Sequence, residues 1–145
     1  MKLGEARVAF TYAVGLLLVE GNRLGLALIL DECKRSPETA IYYATHCRVF
    51  VGGARCRRST MDPIHAGTPG GHVFKPTGIR NSGHTRGLAA DVYVIDDGAI
   101  VNDSAPYAQL AAYWKTLHPL ARWGGDFKTI AADFGHYSFE WEGVS

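Results

Sequence analysis

The stretch "NSGHTRGLAADVYVI", Asn81 to Ile95, sets His84 and Asp91 seven positions apart, and "DFGHYSFEW" sets Asp133 three positions before His136. Two imidazoles and one carboxylate with an open fourth position form the ligand set of a catalytic zinc, whereas a structural zinc is usually closed by four cysteine or histidine ligands. Asp133, beside such a centre without being a ligand, stands where a general base for water must stand. Ordinary readings compete at each position. On spacing alone His84 is more often a loop histidine bonded to backbone, and Asp133 with His136 more often a capping or turn arrangement than a catalytic pair. Asp91 is harder to set aside, because a carboxylate inside the apolar run "AADVYVI" is costly to bury unless it is paired or bound to a metal.

For these side chains to meet, the elements around them must converge. "LAADVYVI" reads as a strand that holds Asp91, and "DDGAIVN" as a hairpin turn into a partner strand. His136 begins a final alternating strand, so two neighbouring antiparallel strands would present Asp91 and His136 on one face while the loop before the first folds His84 over them. Upstream, the spacing predicts a helix over about Leu3 to Val19, burying Val8, Phe10, Val14, Leu17 and Leu18 and ended by Gly21 and Asn22. "LGLALIL", Leu24 to Leu30, suits a buried strand. "SPETAIYYATH" opens as a helix with Ser36 as N-cap, Pro37 at the first helical position and Glu38 in the first turn. "APYAQLAAYWKTLHPL" is a further helix with Ser104 as its cap and Pro119 near its stop. Helices and strands mix without a βαβ rhythm, so the expected class is α+β, a small antiparallel sheet with helices packed on one side.

The chain's 145 residues fit one domain with one core, here 1–145. Hydrophobic residues at 47% and charged residues at 20% exclude a disordered chain, and a formal net charge of +1 gives no electrostatic case for nucleic acid as partner. The apolar N-terminal region is broken by Glu20, Gly21, Asn22 and Arg23 into pieces shorter than the roughly 20 residues of a spanning helix, and it lacks a small-residue cleavage site. From Cys47 to Ser82 the chain is rich in Gly, Pro, Arg and His, with "VFVGGA" as its one strand-like run. A long loop insert at about 47–82, facing substrate, is the expectation. The basic "RCRRS" inside it reads as a solvated loop. Three cysteines, Cys33, Cys47 and Cys56, are an odd number and too few for a disulfide scaffold, so reduced thiols are the default.

At the candidate site the sequence resembles a known family. "SGHTRGLAAD" is similar to the Ser-x-His-x-x-Gly-x-Ala-x-Asp signature of the zinc peptidoglycan peptidases that include D-alanyl-D-alanine carboxypeptidases and phage L-alanyl-D-glutamate endopeptidases. "WGGDF" followed by "DFGHYSFEW" resembles that family's Trp-Gly-Gly turn and acidic-x-x-His motif, and "DECKRSPETAIYYA" its Glu-x-x-Arg-Ser/Thr-Pro-Glu segment. Together these motifs cover roughly Leu28 to Trp141. The resemblance implies a hedgehog/D-Ala-D-Ala-peptidase-like fold, with His84, Asp91 and His136 as ligands of one catalytic zinc and Asp133 as catalytic base. It makes Arg35 the residue that anchors substrate or steadies a developing oxyanion, and Ser82 one that orients substrate or ligand.

Family members of this size often have a shorter connection before the motif histidine. In the longer one here, Cys47 and Cys56 with His65 and His72 suit a second, structural zinc, a disulfide formed after release to an oxidising periplasm, or a plain loop. The expected activity is zinc-dependent hydrolysis of an amide bond in the peptidoglycan stem. The expected form is a phage endolysin, a monomer held in the host cytoplasm until a holin-type protein gives access to the wall. A D-alanyl-D-alanine peptidase is the alternative within the family, and a non-catalytic zinc-binding wall module the alternative outside it.

Overall fold

The structure, a computed structural model, describes residues 1–34, 46–51, 54–59, 72–74, 83–128 and 132–145. The chain divides into two compact units, one made of Met1–Arg35 with Ser82–Ser145 and the other of Ser36–Asn81. The helix expected from Ser36 lies outside the described residues.

The larger unit holds helices α1 (Leu3–Arg23), α2 (Gly83–Arg86) and α3 (Ser104–Leu117). Its strands are β1 (Ala27–Glu32), β5 (Ala89–Asp96), β6 (Ala99–Ile100), β7 (Ala121–Trp123) and β8 (His136–Phe139). They form one five-stranded antiparallel sheet in the order β1-β5-β8-β7, with β6 also paired to β5. Alternation along the strands decides what each face carries. Ala90, Val92 and Val94 of β5 and Tyr137 and Phe139 of β8 point into the core. Asp91 and His136, out of phase with them, point to the other face.

Both long helices cover the core face. α1 buries Phe10, Ala13, Val14 and Leu17, and α3 buries Tyr107, Leu110, Ala111 and Trp114 at the i, i+3, i+4, i+7 spacing of one helical stripe. The Phe10 ring stands edge-on to Trp114 at 5.8 Å and to Phe139 at 5.3 Å, so the two helices and β8 share one aromatic cluster. The polar ends of these rings are satisfied. Trp114 Nε1 donates to the Arg122 carbonyl at 2.9 Å, and the Tyr107 hydroxyl donates to the Val101 carbonyl at 2.7 Å. The architecture is α+β with a small antiparallel sheet, as its residue pattern predicts; the two long helices lie on one face, while the short α2 brings His84 to the other.

Local expectations change in four places. Helix α1 runs through Gly21 to Arg23; Gly21 serves close packing, since a side chain there would collide with Leu28, and the turn falls at Gly25 instead. Val8 is 73% exposed, since the core needs only one face of α1. β1 is an edge strand and leaves Ile29 and Leu30 exposed at 45% and 44%, so it is not the buried strand that "LGLALIL" suggests. The cap of α3 is Asp103, whose carboxylate accepts from the Ala105 N–H at 2.9 Å, one residue before the expected Ser104. The hairpin after β5 forms as expected, with φ positive at both Asp97 and Gly98, the conformation of a tight two-residue turn.

In the smaller unit, strands β2 (His46–Val51), β3 (Ala54–Ser59) and β4 (His72–Phe74) form a three-stranded antiparallel sheet in the order β3-β2-β4. The described part of the segment therefore holds three strands where one strand-like run is expected. "VFVGGA" supplies the end of β2 and the first residue of β3, and Val51 pairs with Ala54 across it. Cys47 and Cys56 sit on these neighbouring strands. Their side chains and His65 lie outside what the structure describes.

Candidate metal centre

Asp91 and His136 are direct cross-strand partners in the β5–β8 ladder, on the sheet face away from the helices. His84 reaches them from α2, a single helical turn rather than the expected loop. That turn ends in a Schellman cap: the Leu88 N–H bonds the Gly83 carbonyl at 2.9 Å and the Gly87 N–H bonds the His84 carbonyl at 3.1 Å. Gly87 has φ +67, a conformation that disfavours any side chain, so the motif glycine is what lets the chain pass from His84 straight into β5. Two arginines anchor the turn from outside. Arg7 of α1 donates to the Arg86 carbonyl at 2.7 Å, and Arg86 donates to the Trp141 carbonyl and to Glu142.

Three side-chain atoms converge. His84 Nε2 lies 3.2 Å from Asp91 Oδ1 and 3.3 Å from His136 Nδ1, and His136 Nδ1 lies 3.4 Å from Asp91 Oδ1. All three residues are buried, with exposures of 3%, 8% and 7%. Charge-assisted hydrogen bonds between such groups run about 2.7–2.9 Å, shorter than any of these contacts. In a tetrahedron, ligand atoms are separated by about 1.63 bond lengths, so ligands about 2.0–2.1 Å from a zinc ion lie about 3.3–3.4 Å apart. The observed triangle has the edges of a metal site. Among the described residues Asp91 Oδ1 also has no hydrogen-bond partner, which for a buried carboxylate oxygen calls for a cation. His84 Nδ1 and His136 Nε2, on the far sides of their rings, are buried and without hydrogen-bond partners among the described residues; with the inner nitrogens as ligands they would carry the ring protons. The residues fit a divalent ion, and the buried His84–Asp91–His136 group could hold one.

Burial by itself would raise the Asp91 carboxyl, but the His136 and His84 rings beside it outweigh burial and hold it well below the ordinary carboxylate range. The site therefore presents a carboxylate, the form that binds a cation.

Asp133 sits at the turn before β8. Its backbone N–H bonds the Gly124 carbonyl at 3.1 Å, and its carbonyl accepts from the His136 N–H at 3.2 Å. Desolvation and the neighbouring Asp91 charge push the Asp133 carboxyl above its ordinary value, against the opposing pull of His136. The residue remains open to solvent, which screens part of this effect. Asp133 thus combines the turn role with a position near the His84–Asp91–His136 group.

Gly124 makes that turn possible. A Cβ on it would collide with the Asp133 carbonyl oxygen and stand 2.8 Å from His136 Cβ. Gly124→Ala is expected to cost about 1–3 kcal/mol, as overpacking does, and to weaken metal binding by displacing His136. Urea unfolding of the metal-free protein and a metal titration check the two effects separately.

Arg35 and Ser82, the remaining expected site residues, lie outside the described residues. Two residues missed on the sequence are present. Phe127 lays its ring 5.6 Å from the His136 ring, and Tyr93 follows Asp91 on the same face of β5. Strand alternation from Asp91 would have found Tyr93. Phe127 has no signal in linear order, since the fold alone brings it to His136.

No protein-family model matches this chain, and no curated protein matches it. No described helix is long and apolar enough to cross a membrane.

Proposed function

We propose that the protein is a zinc-dependent hydrolase of the peptidoglycan stem peptide, cutting the L-alanyl-D-glutamate bond. The reading is supported most by one observation, the buried triangle of His84 Nε2, Asp91 Oδ1 and His136 Nδ1 with metal-site edges. The resemblance of the motifs around it to the zinc peptidoglycan peptidases supplies the substrate. In this reading the sheet with its two long helices on one face is the hedgehog/D-Ala-D-Ala-peptidase-like fold, and the face that carries Asp91 and His136 is the catalytic one.

His84, Asp91 and His136 would hold the ion. The chemistry a bound zinc supplies is Lewis acidity, which polarises an amide carbonyl and makes water acidic enough to lose a proton near neutral pH. The protein's own groups do the rest. Asp133 accepts the proton from the attacking water and returns it to the leaving amine nitrogen, so the carboxylate ends the cycle as it began. Arg35, as the motif resemblance places it, presents its guanidinium to a substrate carbonyl or carboxylate. Ser82 orients substrate beside His84. No covalent bond between enzyme and substrate is required. The biological setting we propose is lysis of a bacterial host by a phage, with the wall reached through a holin-type protein.

The test is incubation of the purified protein with peptidoglycan, with and without a chelator, followed by mass spectrometry of the released stems. The expected product carries a new N-terminal D-glutamate, vanishes with chelation and returns with zinc. Free D-alanine would assign the D-alanyl-D-alanine bond instead. Bound metal without any cleavage would leave a wall-binding module. Metal analysis of the protein as purified decides zinc against other divalent ions, which the same donors accept in their usual affinity order.

A further inference from the structure

The sheet face that carries Asp91 and His136 continues beyond them. Tyr93 is two residues after Asp91 in β5, so it stands on the same face one step along the strand, while Val92 and Val94 on either side of it enter the core. Directly across the ladder from Tyr93 is Ile29 of β1, 45% exposed. The Tyr93 ring is fixed from below: it lies over Gly135, where a Cβ would stand 2.5 Å from Tyr93 Cε1. Gly135 belongs to the Asp133–His136 turn, so the ring is braced against the segment that carries the candidate base and a candidate ligand. Tyr93 is half-buried, and among the described residues its hydroxyl makes no hydrogen bond.

A rigid ring with a free phenol tip, next to an exposed aliphatic side chain and beside a reaction centre, has the composition of a binding subsite, apolar with a few placed polar groups. We propose that Tyr93 and Ile29 form a substrate subsite beside the metal ligands, in which the Tyr93 hydroxyl donates a hydrogen bond to a backbone carbonyl of the stem peptide and Ile29 packs against an apolar side chain. This rests on the hydrolase reading above. A stem peptide suits the subsite, since each of its backbone carbonyls accepts one donor and its alanine methyls are small enough to lie on an aliphatic floor. The phenol keeps its proton throughout, and no bond is made or broken at Tyr93.

Tyr93→Phe removes the donor and leaves the ring over Gly135. One neutral hydrogen bond of about 0.5–1.5 kcal/mol corresponds to a loss of about 2-fold to 12-fold in binding. The expected result is a KM for a soluble stem peptide raised within that range, with the loss in kcat/KM falling mostly on KM and with the metal content of the wild type. A second measurement needs no turnover. In an Asp133→Asn background, calorimetric titration with the same stem peptide should show binding weakened by the same factor on adding Tyr93→Phe. Ile29→Ser should weaken binding as well, with no change in metal content. Unaltered binding and KM in Tyr93→Phe, or a loss explained by lost metal, overturns the subsite. If the wild type neither cleaves nor binds the stem peptide, the hydrolase reading falls and takes the subsite with it, whereas a cleaving wild type matched by Tyr93→Phe removes the subsite alone.

Discussion

Asp133→Asn is expected to lower kcat for wall cleavage by about 10²-fold to 10⁴-fold, the contribution typical of a positioned general base. Metal content should stay at the wild-type level, because Asp133 is not one of the three converging side chains. The fold should survive too. The backbone bonds from Asp133 to Gly124 and His136 do not involve the side chain, and asparagine is as much at home in a turn as aspartate. The variant therefore removes the proton acceptor and little else. Full wall solubilisation by a zinc-loaded Asp133→Asn protein would refute the assigned base while leaving the metal centre in place.

Asp91→Asn tests the centre itself. The amide has nearly the carboxylate's shape but no charge, so the two imidazoles lose the anion that complements a cation. Changes one layer outside a metal's ligands already cost about 10-fold to 100-fold in affinity, and losing a ligand charge should cost at least about 100-fold. Ligand linkage turns this into a stability readout. At a zinc concentration near 100 times the wild-type Kd, the wild type gains about 2.7 kcal/mol, and a protein binding 100-fold more weakly gains only about 0.4 kcal/mol. The zinc-dependent rise in melting temperature should therefore nearly vanish in Asp91→Asn. A wild type whose melting temperature ignores zinc altogether would show that the triangle is not a metal site.

Much of the site was legible in linear order. Asp91 stood out because a carboxylate among β-branched and small residues has no cheap way to be buried. That Asp91 and His136 could share one sheet face followed from alternation and antiparallel pairing; that they are direct partners is a matter of register, which the ladder supplies. Less legible was how His84 gets there. The one-turn helix is held by a cap whose key residue, Gly87, reads in sequence as one small residue among several. The burial errors at Val8, Ile29 and Leu30 share one cause. Hydrophobicity marks what can be buried, while the size of the core and the position of a strand at the sheet edge set how much is.

By itself, then, the sequence determined the class of the fold, the strands that carry Asp91 and His136, and the identity of the groups able to bind a cation. Those follow from local periodicity and from the cost of burying charge, which act over a few residues. Only the tertiary structure decided that three side-chain atoms from α2, β5 and β8 meet within 3.4 Å of one another. It also decided that Gly124 lets the Asp133 turn close on His136, and that Tyr93 and Ile29 extend the same face. Such distances depend on how whole elements pack, and packing is a property of the assembled core that no short stretch of chain contains.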